Sequence, residues 1–254
     1  MEILRIENVN KNYKNKQVLK DVNMNVNQGE IVGLIGKNGS GKSTLMKAIC
    51  QLINIDSGTI KVLDHDVTKN REDVLKVMSV IIEGPSLYPN LTVKQQIEAN
   101  GDLRNLSKDD VLEAFEYIDF GKDIKLKNRK LSLGMKQEVA LAMAFMNKSK
   151  LYLLDEPING LDFDNVIKFR NRIIKEKEAG AAILISSHIL KELEVVADRF
   201  VFIHKGKIIG EVKNDHDDIE ALYREMINNE ETNQIWINPT EKISDNHRIN
   251  DHYY

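Results

Sequence analysis

The sequence has one cysteine, no long apolar run and no surplus of positive charge. A lone thiol, Cys50, excludes an intrachain disulfide framework and fits a reducing compartment. It reads as a small buried apolar residue rather than a nucleophile. No apolar stretch approaches the roughly 18 residues needed to cross a bilayer, and the first residues lack the charged-then-apolar pattern of a secretory leader. The chain is therefore expected in the cytoplasm, with any work on a membrane done through a separate membrane polypeptide. A net charge of -3 provides no broad basic field, so nucleic acid is not an expected partner. There is no internal repeat and no low-complexity tract.

What is present is a chain of 254 residues, 42% hydrophobic and 30% charged, enough for one large domain or a domain with an inserted lobe. Residues 1–30 alternate apolar and polar through Ile3, Ile6, Val9, Val22, Met24 and Val26, which predicts antiparallel strands with one wet face. Ile31–Ile35 is a continuous apolar run of the buried parallel type, followed by a glycine-rich turn and a helix from about Lys42 to Leu52. A turn at Asp56–Gly58 leads into a strand over Thr59–Leu63. From about Pro85 to Lys148 the pattern is helical, with helix starts at Thr92, Ser107 and Ser132. Strand patterns resume at Leu151–Leu154, Ala182–Ser186 and Phe200–Ile203, so a helical lobe is inserted into an α/β core with a mostly parallel sheet. Ile219, Leu222, Tyr223 and Met226 repeat at helical spacing, and beyond Asn228 only the patch Ile235–Ile237 interrupts a polar end.

Gly36-Lys37-Asn38-Gly39-Ser40-Gly41-Lys42-Ser43-Thr44 is a complete phosphate-loop motif. Phosphates need several inward-pointing backbone N–H groups, glycines allow the turns, and the following helix adds its N-terminal dipole. Lys42 is expected to reach the β- and γ-phosphates of ATP, and the Ser43 hydroxyl to ligate Mg²⁺. A second motif ends the strand Leu151–Leu154 with Asp155-Glu156, at the end of a parallel strand where ligands bind. Asp155 is the expected Mg²⁺ partner, direct or through water, and Glu156 the expected base for an attacking water. A third feature is the Ser132-x-Gly134 turn, which opens a helix and so offers an anion site.

With these motifs in order, the sequence resembles the nucleotide-binding subunit of ATP-binding-cassette transporters over about residues 1–228. The resemblance implies an α/β fold: a P-loop NTPase core of the RecA-like type with an N-terminal antiparallel β subdomain and an inserted α-helical subdomain. It divides the chain into core segments 1–84 and 149–210, a helical lobe over 85–148, a C-terminal helix near 216–228, and a polar tail over 229–254. Tyr13 matches an aromatic that stacks on adenine, although it could instead pack on the small sheet. Leu131–Met135 matches the family signature, in which Ser132 and Gly134 contact the nucleotide of a second subunit. Asn159–Asp162 matches the loop after the acidic pair, where Asp162 also suits an ordinary turn. His188 matches a histidine at the γ-phosphate, and the other five histidines show no ligand spacing. Met135, Met143 and Met146 read as core residues of a helix. The implied assembly is an ATP-dependent homodimer with two shared sites, bound to transmembrane permease subunits at the inner face of the cell membrane.

The chain departs from the family at four positions. Leu133 and Met135 replace a glycine and a glutamine of the signature, and Glu138 stands where many members carry arginine, removing a positive charge near the shared interface. Glu83 replaces a glutamine that meets Mg²⁺ and signals to the membrane subunit; a carboxylate is the harder oxygen ligand and should make ATP engagement more Mg²⁺-dependent, although Glu83 could instead be a solvent-exposed glutamate with the coupling role elsewhere. Glu83 and the signature variant together resemble the subgroup that exports, or protects against, lantibiotics and bacitracin-like peptides. Other readings are another exporter, an importer ATPase, or a soluble member acting on ribosomes or DNA.

Overall fold

The computed structural model describes residues 1–215 and 218–232. The chain opens with a hairpin, β1 (Glu2–Tyr13) and β2 (Lys16–Asn27), paired antiparallel as the alternation of residues 1–30 predicts. Leu19, Val22, Met24 and Val26 are buried, and most of the side chains between them stay wet. β3 (Ile31–Ile35) follows, buried at every residue, and leads through the phosphate loop into α1 (Lys42–Ile49). The helix ends before Leu52, because Cys50 leaves helical geometry and Gln51 takes a left-handed φ of 58°. β4 (Ser57–Val62) and the short β5 (His65–Asp66) return to the hairpin and complete a four-stranded antiparallel sheet, β2-β1-β4-β5.

α2 (Arg71–Lys76) and β6 (Met78–Ile81) lead out to three helices: α3 (Val93–Leu103), α4 (Lys108–Ile118) and α5 (Leu133–Phe145). Their N-caps are Thr92, Ser107 and Ser132, the three starts read from sequence. Thr92 with Gln95, and Ser107 with Asp110, form reciprocal capping boxes that satisfy N–H groups the helix ladder leaves open. Then come β7 (Leu151–Asp155), α6 (Phe163–Glu178), β8 (Ala182–Ser187), α7 (Leu190–Leu193), β9 (Arg199–His204), β10 (Lys207–Lys213) and α8 (Ile219–Glu231). The patch Ile235–Ile237 lies outside the described residues.

The larger sheet has the order β10-β9-β3-β8-β7-β6, parallel except for the edge strand β10. Each central strand sends alternate residues to two cores. Leu151 and Leu153 of β7 join the antiparallel sheet and α1 on one face, while Tyr152 and Leu154 join α5 and α6 on the other. That double burial is why β3, β7 and β8 read as unbroken apolar runs. Arg199 links the layers, 2.6 Å from both Glu30 and Glu211 and donating to the Asn25 carbonyl of β2. The helical lobe has its own core around Val93, Ile97, Ala114, Leu131, Val139 and Met146. Among the described residues no helix is long and apolar enough to cross a membrane.

Candidate functional site

Four neighbouring strands of the parallel sheet, β3, β8, β7 and β6, end on the same side. Their C-terminal ends and following loops carry the phosphate loop, His188, the Asp155-Glu156 pair and Glu83 respectively. A parallel sheet binds ligands beyond these ends, so strand order brings together groups up to 152 residues apart in sequence, from Gly36 to His188.

In the phosphate loop, Gly41 is the N-cap of α1 at φ 119°, a backbone state open to glycine and strained for other residues. Asn38 and Gly39 form the exposed crown of the loop, whereas Ser40, Lys42 and the start of α1 turn inward. The Lys42 ammonium is buried; it donates to the Gly36 carbonyl at 2.6 Å and lies 3.7 Å from Glu156 Oε1. The Ser40 hydroxyl is buried without a hydrogen-bond partner. An orphaned hydroxyl and an inward-turned cation at a helix N-terminus are the features an anionic phosphate satisfies. Ser43 and Thr44 are half-buried on the first turn of α1.

Glu156 joins the two sides of the site. Its second oxygen, Oε2, is 2.8 Å from His188 Nδ1. A carboxylate only accepts, so Nδ1 carries the shared proton. The Glu156 backbone N–H is fixed by the carbonyl of Ser186 at 3.2 Å and by its hydroxyl at 3.1 Å. The Ser186 hydroxyl in turn donates to buried Asp155. Glu156 takes a left-handed φ of 49°, which the strand-end bonds hold in place. Ser186 is a supporting residue that sequence reasoning missed; its only signal was its place at the end of an apolar strand.

Glu83 also has a left-handed backbone, φ 58°, but its carboxylate is 2.5 Å from the Lys47 ammonium. The structure thus pairs Glu83 with Lys47. Among the described residues no three acidic, histidine or cysteine side chains cluster closely enough to hold a metal. Oxygen groups on Ser43 and Asp155 suit Mg²⁺, which keeps several waters and is commonly held by one or two carboxylates plus phosphate oxygens. Tyr13 ends β1, a residue 45% exposed, with the Lys11 ammonium 5.2 Å from its ring centre. A few residues on, the Val18 carbonyl and the Leu19 side chain pack against Gly41, which sets this hairpin beside the phosphate loop.

A family model described as ABC transporter matches residues 19–159. The chain belongs to the ABC transporter family. It is an ATPase of that family. The "Lantibiotic transport ATP-binding protein SrtF" of Streptococcus pyogenes is 38% identical over 226 residues, covering 89% of this chain and 97% of that protein. The "Bacitracin transport ATP-binding protein BcrA" of Bacillus licheniformis is 35% identical, covering 84% of this chain and 71% of that one. A solved structure described as an ATP binding subunit of an ABC transporter superposes with a TM-score of 0.80 at 30% identity, over 87% of this chain and 94% of its own.

The ABC signature lies on the opposite side of the acidic loop. Ser132 is exposed and caps α5, its hydroxyl accepting the Met135 N–H at 3.2 Å. Gly134 abuts Gly160: a Cβ at 134 would stand 2.5 Å from the Gly160 carbonyl. Gln137, one turn on, donates to the Pro157 carbonyl at 2.8 Å. The signature helix and the loop after Glu156 are therefore one packed unit within a single chain. In that loop Asp162 is the N-cap of α6, accepting the Asn165 N–H at 2.9 Å.

Of the departures, Leu133 is 60% exposed on this face, and Met135 packs partly buried on the lobe core. Glu138 is buried and lies 3.0 Å from Lys168 of α6. Lys168 thus offsets the negative charge that Glu138 brings to this position. Burial pushes the Glu138 carboxyl above its ordinary value even against the pull of Lys168. Burial, and then the Glu138 charge, raise the neighbouring Tyr117 phenol.

Proposed function

We propose that this ABC ATPase powers an exporter of lantibiotic- or bacitracin-like peptides, conferring immunity or resistance. The carrying observation for the chemistry is Glu156, held between Lys42 at 3.7 Å and His188 at 2.8 Å. For the substrate class the support is 38% identity along nearly the full length of a lantibiotic transport protein, together with Glu83.

In this reading ATP lies on the phosphate loop with its adenine against Tyr13. Backbone N–H groups of Asn38 through Thr44 and the Lys42 ammonium take the phosphate charge. Ser43, Asp155 and then Glu83 would hold Mg²⁺, which would neutralise phosphate charge when bound. Glu156 orients the attacking water and takes its proton. His188 is oriented through Nδ1 and presents Nε2 toward the γ-phosphoryl. Ser132, Gly134 and Asp162 serve the nucleotide of a second copy, so the exposed signature face is half of a site. ATP closes such a homodimer, and hydrolysis reopens it.

The membrane permease receives this motion at a groove beside Glu83, lined by Ile82, Gly84, Tyr88, Leu103, Arg104 and Met143. Tyr88 and Leu103 are 69% and 82% exposed there, which supports a protein partner at this site. Such docking would hold the ATPase at the cytoplasmic face of the membrane. The test is Glu156→Gln. The variant is expected to bind ATP, hydrolyse it at least about a hundredfold more slowly, and run as a dimer on gel filtration with Mg-ATP. A variant that binds ATP and stays monomeric counts against the shared site. Peptide resistance in cells carrying the permease pair, lost on Glu156→Gln, tests the cargo.

A further inference from the structure

Along α1 only Ser43, Thr44 and Lys47 escape burial. Ser43 and Lys47 are four residues apart and share one face of the helix. The helix thus has one narrow open stripe, from the phosphate loop to its last turn, and Glu83 lies against the far end. By helix rise, Lys47 lies about 6 Å along the axis from Ser43. Glu83 is the only hydrogen-bond and ion-pair partner of the Lys47 ammonium among the described residues, and the Glu83 side chain is 63% exposed. The backbone next to it has room: Gly84 follows at φ +94°, and a Cβ there would meet nothing within 4 Å. Among the described residues only Lys47 holds this carboxylate by a hydrogen bond or ion pair.

We propose that Lys47 is a positioning residue for Glu83. Its ammonium holds the carboxylate at the far end of the α1 stripe and competes for it with the divalent metal. The proposal rests on the reading of Glu83 as a group directed to that metal. A glutamine at position 83 carries no charge and could not be held in this way, so the competition belongs to the Lys47–Glu83 combination. Binding of metal and nucleotide then includes release of an ion pair, and the release sets how much metal is needed.

The experiment measures Mn²⁺ binding to the full chain with AMP-PNP, reading free Mn²⁺ by electron paramagnetic resonance. Parent, Lys47→Met, Lys47→Arg, Glu83→Gln and the Lys47→Met/Glu83→Gln double variant are compared. Lys47→Met is expected to tighten Mn²⁺ about threefold, the size set by a partly exposed ion pair. Lys47→Arg keeps the pair and should match the parent. Glu83→Gln should weaken Mn²⁺, and adding Lys47→Met to it should change nothing further, because the two effects are coupled. Lys47→Met without effect, while Glu83→Gln weakens Mn²⁺, overturns the proposal and leaves the reading of Glu83 standing. The same tightening with and without Glu83 also overturns it, as a general loss of positive charge. Glu83→Gln indistinguishable from the parent removes the reading of Glu83, and the proposal with it.

Discussion

At the scale of single residues, the two glycines that meet between signature and acidic loop carry a specific demand. Helix interiors prefer alanine to glycine by about 1 kcal/mol, yet a methyl group at 134 would stand 2.5 Å from the Gly160 carbonyl. Gly134→Ala is expected to destabilise the fold by about 1–3 kcal/mol, the usual cost of overpacking. Urea unfolding measures it, and a stabilised variant would mean that the contact relaxes freely. Asp162 presents the complementary case. Its carboxylate accepts from Asn165 as a helix cap, a role that asparagine also fills. Asp162→Asn should keep stability within a few tenths of a kcal/mol, whereas Asp162→Ala should lose about 1 kcal/mol. If asparagine preserves stability but ATPase activity still collapses, the charge of Asp162 acts on nucleotide; if both are preserved, the residue is a cap. Sequence alone left a family role and an ordinary turn open, because Gly-Leu-Asp suits both; the cap emerges only in the structure.

Among the elements, α5 shows where periodicity stops being informative. Gln137 through Ala142, Ala144 and Phe145 are buried, since the helix packs Leu141 and Phe145 on the central core and Val139 and Ala142 on the lobe core. A helix covered on both sides has no apolar stripe to read. Its start was legible because Ser132 is a strong N-cap, as were the starts at Thr92 and Ser107. The short helix α2 and the strands β6 and β10 carried no comparable signal, being brief and only partly apolar. The pair that joins α5 to α6 was equally invisible: Glu138 and Lys168 are 30 residues apart. Burial raises the Glu138 carboxyl above its ordinary 4.5, so the folded chain holds this proton more tightly than the unfolded chain. Its contribution to stability is therefore largest below the ordinary value and declines as pH rises through the raised one. Unfolding free energies of parent and Glu138→Gln, measured at about pH 4 and about pH 8, should show the parent losing ground to the variant at the higher pH. A difference that grows with pH would mean that Lys168 outweighs burial.

For the molecule as a whole, the strand order β3-β8-β7-β6 makes the site. It sets His188 beside Glu156, lets Lys42 approach Glu156 from the other side, and leaves Glu83 on the outer flank. The sequence by itself determined the phosphate loop, the acidic pair and the helix caps. These are local: each needs a few neighbouring residues in a set backbone shape, and short-range sterics and hydrogen bonding dictate it. It also determined the buried character of the central strands, because double burial writes itself as an unbroken apolar run. Only the tertiary structure decided which charges meet. Ser186 under Asp155, Lys168 beside Glu138 and Lys47 on Glu83 are contacts between separate elements. Ion pairs and hydrogen bonds form between whatever groups the packing brings within a few ångströms, and that proximity is a property of sheet order and helix placement, not of spacing along the chain.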